Sequence, residues 1–153
     1  LPAFIIGSNP NPQFSILEWI GLAIWMLAFV METVADNQKA NFSRKMKAAG
    51  LKNKVCNVGL WKYTRHPNYF AEWMVWNGLV IAAIPSWMAL RSEEHLVVWI
   101  LLGIGLLFVS RIMYLSLVYL TGAVPSEYFS AKKRPDYKDY QKRVNMFFPG
   151  LPK

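Results

Sequence analysis

The chain has 153 residues and a mass of 17.6 kDa, room for one domain. Hydrophobic residues make up 54% and charged ones 17%, which excludes a disordered chain and falls well below the ~25% charged of an ordinary soluble domain. One cysteine, Cys56, excludes an internal disulfide framework and a cysteine-based zinc site, and no metal centre is expected.

Residues 1–14, LPAFIIGSNPNPQF, carry no charged side chain and read as the tail of an earlier span entering an outer loop. Segment 16–35 is apolar except for Glu18 and Glu32 and shows no polar stripe, so it reads as a first transmembrane helix. Segment 69–90 gives a second span with Glu72, Asn77 and Pro85, and 96–122 a third, apolar except for Arg111. Two basic segments separate themselves from these spans. Lys39, Arg44, Lys45, Lys47, Lys52, Lys54, Lys62 and Arg65 lie between the first two; Lys132, Lys133, Arg134, Lys138, Lys142, Arg143 and Lys153 follow the third. Both fall on one side, which the positive-inside rule makes the cytosol. That topology accounts for the excess of Lys and Arg, 17 against 9 acids, so nucleic acid is not an expected partner, whereas anionic membrane lipids are. The front has neither a signal-peptide pattern nor an initiator Met, so the chain reads as the carboxyl-terminal part of a longer multi-pass protein. Its expected place is the endoplasmic reticulum, the bacterial inner membrane or an organelle inner membrane.

Polar residues gather at one depth. Glu32 and Asp36 stand at i, i+4 on the first span, and Asn68 and Glu72 at i, i+4 where the second begins, with Arg111 toward the same end of the third. Intramembrane charges cost a few kcal/mol each, so this set is a functional candidate. Pro67 suits the first turn of a helix, and such a start is an anion seat with Arg65 and His66 beside it. In the tail, Tyr137, Tyr140 and Val144 form one apolar stripe of a short cytosolic amphipathic helix. Two readings fit it: a helix lying in the interface, or a lid bringing Tyr and Arg to a nucleotide.

The strings Ala35-Asp36-Asn37-Gln38-Lys39, Gly59-Leu-Trp through Arg65-His-Pro-Asn-Tyr to Glu72-Trp73, and Arg134-Pro-Asp-Tyr through Phe-Phe-Pro149 resemble the steroid 5α-reductase superfamily, most closely its short bacterial-type branch. The likeness runs along all 153 residues. It implies an all-α polytopic bundle of about seven helices, three of them here in a single membrane domain, with NADPH in a cytosol-facing cavity. It further implies cofactor contacts from Asp36, Asn68 and Glu72 and phosphate contacts from Lys39, Lys54 and Arg65. The His-rich stretch that the steroid enzymes carry before their final Tyr is missing here, and Tyr128, Arg134 and Tyr137 only loosely replace it. A sister branch, the isoprenylcysteine carboxyl methyltransferases, shares Arg-His-Pro and Tyr but uses S-adenosylmethionine; Asn68 and Glu72 favour the reductase.

The expected activity is therefore hydride transfer from NADPH to an enone carbon–carbon double bond in a lipid-like substrate of the 3-oxo-4-ene steroid type. Methyl transfer to a prenylated carboxylate is the first rival. The second is a non-catalytic helical subunit of a larger membrane assembly. The expected cofactor ligands are Asp36, Lys39, Lys54, Arg65, His66, Asn68, Glu72, Arg111, Tyr128, Arg134, Tyr137 and Tyr140. No catalytic acid is assigned, because in the resembling enzymes it belongs to spans upstream of Leu1.

Overall fold

A computed structural model describes residues 1–11 and 13–153; Pro12, in the expected outer loop, lies outside the described residues. Every regular element among them is helical: α1 (Pro2–Gly7), α2 (Ile16–Ala48), a 3₁₀ turn (Gly59–Lys62), α3 (Pro67–Ala89), α4 (Leu96–Leu115), a π-helical turn (Ser116–Leu120), α5 (Ala123–Lys133) and α6 (Tyr137–Arg143). They form two compact units: Leu1–Phe29 with Trp73–Tyr114, and Val30–Glu72 with Leu115–Lys153.

Two helical runs are long and apolar enough to cross a membrane, α2 and Leu96–Lys133. Their large apolar side chains face outward, Leu27 at 72% exposure and Leu107 at 75%. The core helix of a soluble protein would bury such residues. The first span begins at Ile16 as expected, but its helix does not stop at residue 35. Its 33 residues reach about 50 Å, more than the ~30 Å of a hydrocarbon layer, and the last 13, from Asp36 onward, form a basic stalk carrying Lys39, Arg44, Lys45 and Lys47. The expected second span, α3, forms a helix through Pro85, yet Glu72, Asn77 and Pro85 leave it below the apolarity of the other two. The expected third span is not one α-helix either, because α4 gives way to the π-helical turn before residue 122.

In the first unit, Ser15 and Glu18 form a capping box at the start of α2. The Ser15 N–H donates to Glu18 Oε2 (2.6 Å) and the Glu18 N–H donates to Ser15 Oγ (3.3 Å). Glu18 is therefore a cap and not a stray intramembrane charge. Helices α2 and α3 cross with backbones in contact: a Cβ on Gly21 would lie 2.5 Å from the Ala82 nitrogen, and one on Gly78 2.7 Å from the Trp25 nitrogen. Small residues at a crossing permit such close approach. Farther along, Asn77 accepts from Ser110 Oγ (2.8 Å) and Trp73 Nε1 donates to the Ser110 carbonyl (3.1 Å), tying α3 to α4. Ile5, Ala83, Leu90 and Leu106 make the core.

Candidate functional site

The second unit is assembled by polar ties to backbone. Trp61 Nε1 donates to the Ala35 carbonyl (2.9 Å), and the Leu60 N–H donates to Gln38 Oε1 (2.8 Å), fixing the 3₁₀ turn on the α2 stalk. Gly59 is required there: its φ is +53° and a Cβ would sit 2.3 Å from Gln38 Oε1. The tail closes on the same segment. Thr64 Oγ1 donates to the Phe147 carbonyl (2.9 Å), the Arg65 N–H to the Asn145 carbonyl (2.9 Å), and the Gly150 N–H to the Tyr63 carbonyl (2.9 Å).

The centre of this unit is Glu127, a residue that sequence reasoning left out of the candidate set. Its carboxylate accepts from Arg65 Nε (2.6 Å) and Nη2 (3.1 Å), from Gln141 Nε2 (2.7 Å), and faces His66 Nε2 at 3.1 Å. Burial alone would raise this carboxyl, but the hydrogen bonds from His66, Arg65 and Gln141 overcome it and hold it down at about 2. Arg65 also donates through Nη1 to the Gln141 carbonyl (2.9 Å) and to the Val144 carbonyl. Four of the guanidinium's roughly five N–H donors are thereby used within the protein. The anion at this helix mouth is thus the protein's own Glu127, and Arg65 joins the α3 start, α5 and the tail. His66, 6% exposed, also stacks flat on Tyr69, ring centroids 5.3 Å apart. Glu127 is one of three acids, with Asp136 and Asp139, in a strongly basic tail, and that sequence pattern does not single it out.

Beside this network is a small cavity of about 90 Å³. Seven of the twelve expected residues line it: Lys39, Lys54, Arg65, His66, Arg134, Tyr137 and Tyr140. Its lining contains no carboxylate, and Ser43, Cys56, Tyr69, Ser126 and Ser130 add to its polar wall. Lys39 lies 4.5 Å from the Trp61 ring centroid, and Arg134 donates to Ser130 Oγ (2.9 Å). Neither has a carboxylate within ion-pair distance among the described residues. Lys54 faces Asp136 at 3.9 Å, both side chains exposed. Tyr140 donates to the Trp61 carbonyl and, like Tyr137, is buried. Burial pushes the Tyr137 phenol up to about 12 and Tyr140 higher still. Burial also pushes the Cys56 thiol up, with Lys39 and Arg134 only partly opposing it, so Cys56 stands in the wall as a neutral thiol.

Asp36, Asn68 and Glu72 form a second cluster in this unit. Asn68 Nδ2 donates to Asp36 Oδ1 (3.1 Å), and Glu72 lies in the field of Asp36, as does Glu32. Asn68 Oδ1 is buried and has no hydrogen-bond partner, an acceptor that a bound donor would satisfy. Two expected residues are placed elsewhere. Tyr128 is 59% exposed, its hydroxyl accepting from Lys132 (2.6 Å). Arg111 belongs to the other unit, its guanidinium 5.9 Å from the Tyr114 ring.

A family described as Protein of unknown function (DUF1295) matches residues 1–144. The chain belongs to the DUF1295 family. The match takes in the whole Arg65–His66–Glu127–Gln141 network and the cationic cavity. Two curated proteins of Schizosaccharomyces pombe are similar to this DUF1295 chain. Uncharacterized protein C594.04c is 29% identical over 166 residues, covering 98% of the chain and 44% of the relative. Uncharacterized protein C9.08c is 27% identical over 99 residues, covering 54% of the chain and 35% of the relative. The chain thus spans less than half the length of either. No solved structure matches it.

Proposed function

We propose that the protein is an NADPH-dependent membrane reductase that acts on the enone double bond of a lipid-like molecule, of the 3-oxo-4-ene steroid type. The observation that carries this reading is the cavity lined by Lys39, Lys54 and Arg134 with hydroxyls and no carboxylate. Such a lining suits the diphosphate and 2′-phosphate of NADPH. S-adenosylmethionine brings a sulfonium cation, which the same lining repels. The carboxamide N–H₂ of a nicotinamide is a donor of the kind that the unpartnered Asn68 Oδ1 lacks, so the residues present fit the cofactor.

In this reading Lys39, Lys54 and Arg134 hold phosphate, and Asp36 and Asn68 orient the nicotinamide end. Arg65 and His66 act on position, by locking the α3 start to Glu127. When bound, NADPH supplies the hydride for the β-carbon of the conjugated carbonyl. The wider architecture implied by the resemblance belongs to the same proposal. Helix α3 is a third span with its polar side chains turned to protein, the basic segments face the cytosol, and the chain is part of a bundle of about seven helices. The apolar exposure of α2 and α4 supports a membrane setting.

The test is melting temperature of the full-length protein in detergent, titrated separately with NADPH and S-adenosylmethionine. NADPH is expected to stabilise with the logarithm of its concentration over Kd. Lys39→Ala, at an exposed position, is expected to weaken that shift without lowering the ligand-free melting point. Stabilisation by S-adenosylmethionine alone would overturn the reductase in favour of methyl transfer, and no shift with either would leave the helical-subunit reading.

A further inference from the structure

Beside the small cavity lies a larger one, about 360 Å³, lined by Phe42, Met46, Lys47, Lys52, Lys54 and Arg134 among others. The two share Phe42, Ser43, Lys54 and Arg134 as a common wall. At about 90 Å³ the first is well under the ~300 Å³ at which small-molecule sites begin, so it can seat one end of a dinucleotide and no more. The second reaches that range.

Its lining has two characters. Phe42 and Met46 offer flat and polarisable apolar surface, of the kind on which a nucleobase stacks. Lys47, Lys52, Lys54 and Arg134 offer four cations, and no Asp or Glu is present. A free ribose diol is commonly held by a carboxylate acceptor, a 2′-phosphate by cations, and this lining holds only the second kind. The loop carrying the cations is fixed by its backbone. Gly50 (φ +69°) ends α2 in a Schellman motif, the Leu51 N–H donating to the Met46 carbonyl (2.9 Å) and the Gly50 N–H to the Lys47 carbonyl (3.1 Å). Those bonds occupy carbonyl oxygens that would otherwise repel an anion at a helix C-terminus. Asn53 (φ +58°) then turns the chain between Lys52 and Lys54.

We infer that this second cavity takes the adenosine end of the nucleotide, and that Lys47 and Lys52 select a 2′-phosphorylated ribose over a free diol. The inference rests on the NADPH reading above and adds to it the residues that discriminate. Calorimetric titration of the full-length protein with NADPH, NADH, adenosine 2′,5′-bisphosphate and ADP tests it. The wild type is expected to prefer the 2′-phosphorylated member of each pair by about tenfold or more, a difference of about 1.4 kcal/mol. Lys47→Ala with Lys52→Ala is expected to abolish that preference by weakening NADPH while leaving NADH unchanged. Arg44→Ala with Lys45→Ala removes the same charge from exposed positions outside the cavity and is expected to keep it. If the wild type binds NADPH and NADH equally, or the Lys47/Lys52 variant still discriminates, the inference is overturned while the dinucleotide reading stands. If neither dinucleotide binds, both fall together.

Discussion

The two units of this chain are held by opposite means. Leu1–Phe29 with Trp73–Tyr114 is joined by close helix crossings at Gly21 and Gly78, with polar ties from Asn77 and Trp73 to Ser110 and a reciprocal pair in which the Trp87 and Trp99 indoles each donate to the other's carbonyl. Val30–Glu72 with Leu115–Lys153 is joined by a buried charge network on Glu127 and by backbone carbonyls of α2, the 3₁₀ turn, α6 and the tail, bonded to Trp61, Tyr140, Arg65 and Thr64. In the first unit large apolar side chains face outward and association depends on backbone approach, for which a missing methyl group is the device. In the second unit a buried carboxylate anchors the frame, while Lys39 and Arg134 at the cavity wall have no carboxylate within ion-pair distance among the described residues.

That contrast ranks the effects of breaking each unit. Glu127→Ala leaves Arg65 and His66 buried without their anion and is expected to cost about 3–5 kcal/mol, the largest loss of any single change named here. Chemical denaturation monitored by Trp fluorescence measures it, and a loss below 1 kcal/mol would mean that the network is ornamental. Next comes Gly78→Leu, whose Cβ meets Trp25 and Gly21 backbone within 3 Å. Overpacking there is expected to cost about 1–3 kcal/mol or more, with Gly78→Ala sharing the sign. Asn77→Ala should be milder, about 0.6–1.7 kcal/mol, as interhelical hydrogen bonds in membranes usually are. Asp136→Ala removes only an exposed ion pair and is expected to change stability by less than about 1 kcal/mol.

Acidity separates the two units without mutation. Because the Glu127 carboxyl is lowered from 4.5 to about 2, its contribution is complete above the unfolded value and drains away as pH falls through that window. Tyr137 works at the other limit. Its phenol, raised by burial to about 12, stays neutral while the unfolded one ionises near 10, so stability falls as pH climbs between those values. Proteolysis followed across pH should therefore open residues 115–153 before residues 73–114 in acid. The reverse order would mean that the charge network does not govern the second unit.

Much of the architecture was legible in the residues. Runs of apolar side chains marked the helices at 16 and 96, and Pro67 marked the start of α3, because periodicity and proline geometry are local properties. The i, i+4 pairing of Asn68 and Glu72 and the proximity of Asp36 to Asn68 followed from helix geometry and a shared depth. From sequence, Arg65 reads as a phosphate ligand because its chemistry is right for one. That Glu127 claims it depends on a contact 62 residues away in sequence, which no local pattern encodes. The continuation of α2 to Ala48 is hidden for a different reason: the apolar run ends near Ala35, whereas backbone hydrogen bonding does not depend on side-chain hydropathy and continues. Lys47 and Lys52 passed as surface charge until the turn at Gly50 and Asn53 placed them around one cavity.

Hydrogen–deuterium exchange of the full-length protein with and without NADPH addresses the division of labour most directly. The expected result is protection confined to peptides covering 39–56 and 126–140, with peptides from 73–114 exchanging as before. Protection centred on 73–114, or none anywhere at saturating nucleotide, would contradict the assignment of binding to the cationic unit.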